Sequence, residues 1–206
     1  MCFYISLKST KAELEKNFDA TVLESDFIKS DIVNGFAHPN IPIITDIDEF
    51  DIVSGTWGLI PYWAKNKTIQ KSTLNAKIET LHQTPSFKNS VNKRCLVLVD
   101  GFYEWKWLDP KGRKKEQYEI KLDIGNKPFA LGGIYSLWID PETNKQLKTV
   151  SIVTTKANEL MSEIHNTKNR MPLILTKDFE RKWLDHKELE SFAFPNYNPI
   201  LKAELA

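Results

Sequence analysis

Between residues 94 and 155 the chain reads as one strand after another, joined by connections of hairpin length. Apolar and aromatic runs at 94–107, 117–122, 129–138 and 148–155 are separated by Asp109-Pro110-Lys111-Gly112, Gly125-Asn126 and Asp140-Pro141-Glu142-Thr143-Asn144. Each separator carries the proline, glycine or Asx residues of a turn. Neighbouring strands joined this way run antiparallel, because a parallel return needs a longer crossover.

The rest of the chain supplies further strands and short helices. In Cys2-Phe3-Tyr4-Ile5-Ser6-Leu7, Phe3, Ile5 and Leu7 alternate with Cys2, Tyr4 and Ser6, the period of a half-buried strand. Thr10-Lys11-Ala12-Glu13 has capping-box spacing, with Leu14 and Phe18 at helical separation behind it. Asn34-Gly35 marks a turn, and residues 38–42, with Pro39 and Pro42, are expected to be extended. A strand is expected over 50–60, then the aromatic loop 57–63. Thr84-Pro85 predicts a helix through about Val91, and 157–165 a second. Residues 171–175 read as a short strand, and Thr176 caps a last helix carrying Phe179, Trp183 and Leu184. With no repeat, heptad or linker, the expectation is one α+β domain over 1–206. It is a mainly antiparallel, curled or barrel-like sheet with short helices packed around it, and 176–206 form a C-terminal helix and an irregular tail.

Composition limits the partners. The 206 residues include 28 basic and 27 acidic ones, a net charge of +1. There is no global basic field, so a nucleic acid would need positive charge gathered on one face and some affinity besides bulk electrostatics. Two cysteines make no disulfide framework, and Cys95 lies in the apolar run 95–99, the setting of a reduced core residue. No apolar stretch approaches the ~18 residues of a membrane helix, and no leader pattern opens the sequence. The expectation is a cytoplasmic monomer.

Met1-Cys2 carries the most suggestive chemistry. Cysteine is small enough for the initiator to be trimmed before it, which exposes an α-amine and a thiol on one residue. Their ordinary pKa values, ~8 and ~8.5, leave a useful fraction of each nucleophilic at neutral pH. The amine can condense with an aldehyde to a Schiff base, and the thiol can then close a five-membered thiazolidine. A chain beginning Met-Cys can equally hold Cys2 as a small buried hydrophobe, so other residues must decide.

Three further segments and the 57–63 loop pair polar groups with aromatic or turn residues. The segments are Thr73-Leu74-Asn75-Ala76-Lys77-Ile78-Glu79-Thr80, Asp100-Gly101-Phe102-Tyr103-Glu104-Trp105-Lys106 and Ile164-His165-Asn166-Thr167-Lys168-Asn169-Arg170-Met171-Pro172. Together with Met1-Cys2, in this order and spacing, they resemble the SOS response-associated peptidase family, whose members crosslink to abasic sites in single-stranded DNA. The resemblance covers residues 2–175. It implies a covalent bond from Cys2 to the sugar aldehyde. Asn75 begins the match to Asn-Ala-Arg-x-Glu-Thr, with Lys77 in place of arginine, and is implied to orient the sugar and the sulfur. Glu104 is implied as general acid and base. His165 is implied to protonate the ring oxygen and open the sugar. Lys77, Trp105, Thr154 and Arg170 fall at positions that grip phosphate or stack on bases.

The residue types suit these roles, each beside a plainer alternative. A carboxamide donates and accepts without adding charge, though Asn75 could merely cap a helix. Glu104 among Phe102, Tyr103 and Trp105 should be partly desolvated and raised toward neutrality, though a surface glutamate beside a cross-strand lysine is the commoner case. Histidine titrates near neutrality. Glu79 reads as a scaffold ion pair. Trp57 and Trp63 read as core. Lys111, Arg113, Lys114 and Lys115 read as a solvated hairpin tip or an extension of a DNA track.

The chain also departs from the family pattern. Four residues separate His165 from Arg170 where one is usual, and Phe3-Tyr4 stands where many relatives have Gly-Arg, which removes a phosphate contact. His38, His82 and His186 have no metal-ligand spacing, so neither metal nor cofactor is expected. The implied activity is a DNA–protein crosslinking enzyme with self-removal of Met1 and a lyase side reaction, nucleoid-associated when bound to DNA. The rivals are an N-terminal-nucleophile cysteine amidohydrolase and a noncovalent single-stranded DNA-binding module.

Overall fold

Only part of the hairpin run joins a closed ring: residues 94–99, 129–139 and 146–156 enter it, while 101–107 and 115–122 form another sheet, so the Gly125-Asn126 turn links two sheets and makes no hairpin. The structure, a computed structural model, describes residues 2–23, 27 and 29–206. Its strands are β1 (Tyr4–Leu7), β2 (Thr21–Val22), β3 (Ser30–Asn34), β4 (Asn40–Thr45), β5 (Asp51–Trp57), β6 (Asn75–Lys77), β7 (Arg94–Val99), β8 (Gly101–Trp107), β9 (Lys115–Leu122), β10 (Phe129–Ile139), β11 (Gln146–Lys156), β12 (Arg170–Pro172), β13 (Ile174–Leu175) and β14 (Leu201–Leu205). The helices are α1 (Lys11–Phe18), α2 (Glu159–Ile164) and α3 (Lys177–Leu184). Strands β11, β10, β7, β4 and β5 are bonded in that order, and β5 returns to β11 in parallel, Thr56 beside Thr149 and Trp57 beside Val150. Closure depends on Gly55, where a Cβ would lie 2.4 Å from Val150 Cγ2 and 2.9 Å from Ile43 Cδ1.

A second, antiparallel sheet runs β14-β9-β8-β1-β3. Its Ile5, Phe102 and Ile120 share one core with Ile43, Val97, Val150 and Ile152 of the barrel. Another core lies under α3, where buried Trp183 donates its indole N–H to the carbonyls of Cys95 at 3.1 Å and Gly133 at 3.2 Å. The capping box forms as the spacing predicts: Thr10 Oγ1 accepts from Glu13 N and the Glu13 carboxylate accepts from Thr10 N. Such a cap contributes about 1 kcal/mol.

Several expectations are corrected. The single strand over 94–107 is two strands in different sheets. At Asp100 the chain changes sheet, and its carboxylate accepts from Lys8 N at 2.5 Å and Ser9 N at 2.9 Å, tying the bend to the end of β1. Thr84 starts no α-helix: its hydroxyl donates back to Thr80 O, and the segment continues as turns and a 3-10 turn, Lys88–Ser90. His38 is left-handed (φ 51°) and not extended, with Nδ1 at 2.9 Å from Trp57 O. The strand expected over 171–175 is two short strands on different neighbours, β12 on β11 and β13 on β10. The tail is not irregular throughout, because β14 pairs with β9 from Leu201 opposite Leu122 to Leu205 opposite Tyr118.

Candidate active site and nucleic-acid interface

Four elements that are distant in sequence meet at the N-terminal end of β1. Cys2 is fully buried, and its carbonyl accepts a 2.8 Å hydrogen bond from Asn75 Nδ2. Asn75 opens β6, held beside β11 with Asn75 paired to Ile152. It is therefore a strand residue, not a helix cap. Its Oδ1 is buried with no hydrogen-bond partner among the described residues, leaving an unused acceptor beside Cys2. β8 pairs with β1 through Tyr4 and Tyr103 and carries Glu104 on its next residue. His165 follows α2, and its Nε2 lies 3.8 Å from Glu104 Oε2.

Burial sets the protonation states. It raises the Glu104 carboxyl to about 7, against the pull of the Trp105 backbone N–H and the Lys168 charge. Burial lowers His165 to about 4, and the nearby Lys168 and Arg170 charges add to this while a hydrogen bond to Arg170 O opposes it. His165 Nδ1 lies 2.7 Å from that carbonyl. A carbonyl only accepts, so Nδ1 carries the proton and neutral Nε2 turns its lone pair toward Glu104. Of the two groups the carboxyl therefore holds its proton to the higher pH, up to about 7, and the imidazole is neutral down to about 4. The sequence reading gave histidine the acid's part on its ordinary pKa, whereas burial here lowers that pKa to about 4. Burial, helped by the Glu104 charge, also pushes the Cys2 thiol well up, so it rests protonated.

The residues expected at the interface divide. Lys77 is exposed and shares a face of β6 with Asn75 two residues before it. Trp105 is half-buried with the Tyr4 ring against its edge, centroids 5.0 Å apart. Thr154 is fully buried, donates to Ala76 O and accepts from Arg170. Arg170 is also held inward, with Nη1 at 2.8 Å from Glu79 and Nη2 at 2.7 Å from Thr154 O and 2.9 Å from its hydroxyl. Glu79 is the scaffold partner the sequence suggested. Replacing Arg170 by alanine should destabilise the DNA-free protein by roughly 1–3 kcal/mol, lowering the calorimetric midpoint by ~2–4 °C per kcal/mol. Lysine should recover only part of this, since it lacks the fork that makes these contacts together.

The sequence missed two features. Trp57 is core, its indole N–H donating to Leu74 O at 2.9 Å, but Trp63 is 48% exposed and Tyr62 65%. Only buried Gly58, Leu59, Ile60 and Pro61 stand between buried Trp57 and exposed Tyr62-Trp63, and nothing in the composition of the loop marks which side turns out. The long segment after His165 is also ordered, for Asn166 bonds both backbone groups of Trp107. Among the described residues no group of three or more His, Cys, Asp or Glu side chains could hold a metal ion, and no helix is long and apolar enough to cross a membrane.

Comparison with known proteins finds a match to the SOS response associated peptidase (SRAP) family over residues 1–203. The chain is 49% identical over 135 residues to the abasic site processing protein YoqW of Bacillus subtilis (strain 168), covering 65% of this chain and 57% of that one. It is 38% identical over 190 residues to YobE of the same organism, also an abasic site processing protein, covering 87% and 83%. Against HMCES of Gallus gallus, of the same description, identity is 33% over 167 residues, covering 70% of this chain and 48% of the relative. The chain therefore spans about half the length of some of the curated relatives it matches. A crystal structure of a protein from Bacteroides thetaiotaomicron superposes with TM-score 0.87 at 32% identity, covering 99% of this chain and 91% of that one.

Proposed function

The chain belongs to the SOS response associated peptidase family, and from that premise we propose that it processes abasic sites in single-stranded DNA by forming a covalent thiazolidine through Cys2. The observation that carries this reading is the convergence near Cys2 of a carboxamide and a buried carboxyl–imidazole pair, Asn75 holding the Cys2 carbonyl and Glu104 lying 3.8 Å from His165. Hydrolysis of the Met1–Cys2 peptide bond, which consumes one water and releases methionine, frees the α-amine. The amine adds to the aldehyde carbon of the ring-opened sugar. Glu104, protonated below about 7, gives its proton to the departing hydroxyl, water leaves, and an iminium remains. The thiol then adds to the iminium carbon, and its proton passes to the Glu104 carboxylate.

The overall change joins aldehyde and cysteine with loss of one water. Closure of the ring diverts the imine from β-elimination, so strand cleavage by the lyase route is the minor outcome. His165 accepts and returns the proton that Glu104 exchanges with the sugar. The bare Oδ1 of Asn75 suits a sugar hydroxyl donor. Lys77 offers a cation to phosphate, and Trp105 with Tyr4 an aromatic face to an unstacked base. Arg170 keeps His165 placed through its own carbonyl.

Intact mass spectrometry before and after mixing with abasic single-stranded DNA tests the reading. The expected protein mass lacks Met1, and the expected product is the sum of protein and oligonucleotide less one water. Retention of Met1 by natively expressed protein, or an unmodified oligonucleotide under conditions that protect the thiol, would end the proposal. An amidohydrolase would show the trimmed mass and no adduct.

A further inference from the structure

The seam that pairs Glu104 with His165 continues past the pocket. Three residues further along β8, Trp107 meets Asn166, whose Oδ1 accepts from Trp107 N at 3.2 Å and whose Nδ2 donates to Trp107 O at 2.9 Å. The long segment after His165 is thus pinned to the strand edge. His165 O closes it at the other side, accepting from Lys168 N at 3.3 Å and Asn169 N at 3.0 Å. Between this segment and the tip of the β8–β9 hairpin lies a groove of about 470 Å³, lined by Trp107, Leu108, Asp109, Pro110, Asn166 and Thr167.

Its chemistry differs from that of a solvated tip. Leu108 is 52% exposed, while the half-buried Trp107 ring beside it has Gly112 packed against it. Exposed Lys168 stands on one rim and exposed Lys111, Arg113 and Lys114 on the other, while Lys115 Nζ sits 4.8 Å from the Trp107 ring. The one lining carboxylate, Asp109, is engaged by the backbone N–H groups of Lys111 and Lys114. Trp105 and Trp107 are two residues apart on β8 and so lie on one side of it, which puts the Tyr4–Trp105 pair on that side as well. In a chain of net charge +1 this gathers cations along one seam.

We propose that this groove is a second nucleotide subsite, which takes a nucleotide flanking the lesion in the same single strand. Its base lies on exposed Leu108 at the edge of Trp107, and its phosphates face Lys168 and the hairpin-tip cations. The inference rests on the lesion-pocket reading only for the identity of the ligand. With Arg170 turned inward on Glu79 and Thr154, Lys168 supplies an exposed cation beside the pocket from the segment that lengthens the His165–Arg170 spacing.

The test uses fluorescence anisotropy with single strands carrying a tetrahydrofuran abasic analogue, which has no aldehyde and forms no covalent bond. The flanks are shortened one nucleotide at a time, first on one side and then on the other. A subsite appears as a step of about tenfold in Kd when one flank reaches the groove, as stacking of one base should give. In Leu108→Ala protein the step should shrink toward nothing while the shortest oligonucleotide binds as before. In Lys111→Glu/Arg113→Glu protein, altered only at exposed positions, the long oligonucleotide should lose affinity. Its log–log salt slope should flatten by about 0.7 for each lost phosphate contact. A smooth dependence on both flanks, or a step that survives both variants, overturns the subsite. Should the step be present while an aldehyde-bearing strand gives no adduct, the crosslinking reading falls and the groove remains.

Discussion

Abasic single-stranded DNA mixed with Cys2→Ala protein is expected to give no band that survives denaturing electrophoresis, whereas the unaltered protein gives one. Alanine is as small as cysteine, so Met1 can still be trimmed and an α-amine still exposed. Only the thiol is gone. The imine can then form but cannot close, and it hydrolyses when the protein unfolds. Borohydride added during the reaction should therefore recover a band from Cys2→Ala by reducing that imine to a stable amine. This outcome separates the amine's part from the sulfur's. Loss of fold cannot mimic it: exchanging one buried sulfur for hydrogen removes little apolar volume, and the cost should be near the ~1 kcal/mol typical of a point change. Binding to the tetrahydrofuran analogue should be unchanged. A denaturation-resistant band from Cys2→Ala without reductant would mean that the covalent atom lies elsewhere.

Locally determined features could be read from the chain alone. The Thr10–Glu13 capping box closes within one turn, and the β8–β9 and β10–β11 hairpins are set by turn residues beside them, whereas Gly125-Asn126 turns the chain from one sheet into the other. What escaped was decided by distant partners. Residues 94–107 look like one continuous apolar strand because the bend at Asp100 is fixed by amides of Lys8 and Ser9, some ninety residues away in sequence. Leu201–Leu205 has no strong β-branched pattern and becomes a strand because β9 offers it an open edge. Thr84-Pro85 looks like a helix start, but the Thr84 hydroxyl is taken by Thr80 O and caps nothing downstream.

At the site, residue types were legible and their directions were not. Thr154 and Arg170 have phosphate-binding groups, yet strand alternation and the nearness of Glu79 turn them to each other. Glu104 and His165 were chosen for proton transfer, and the sequence could place a desolvated carboxylate among aromatics. It could not show that the imidazole is buried as well, and that second burial assigns donor and acceptor.

The Glu104→Gln protein should lose adduct formation by roughly 10²–10⁴-fold, the range of a general acid–base group, while gaining a different dependence of stability on pH. Glutamine fills the same space and cannot ionise. In the unaltered protein the folded-state pKa of Glu104 is about 7 against an ordinary 4.5. The folded state holds this proton more tightly, so the group's stabilising contribution is complete below 4.5 and is lost as pH rises through 7, by on the order of 3 kcal/mol. His165 acts oppositely. Its folded pKa of about 4 lies below the ordinary 6.5, so its contribution is complete above 6.5 and is lost as pH falls through 4. Across pH 4.5–6.5 the two slopes oppose each other, and the unaltered protein should show a nearly flat denaturant midpoint. Removing the Glu104 ionisation leaves the histidine alone, so Glu104→Gln should grow steadily more stable from pH 4 to 6.5 and then level off. Chemical denaturation at half-unit pH intervals reads this directly. A flat profile in the variant would show that His165 is not held neutral by burial, and the assignment of the carboxyl as donor and the imidazole as acceptor would have to be reversed.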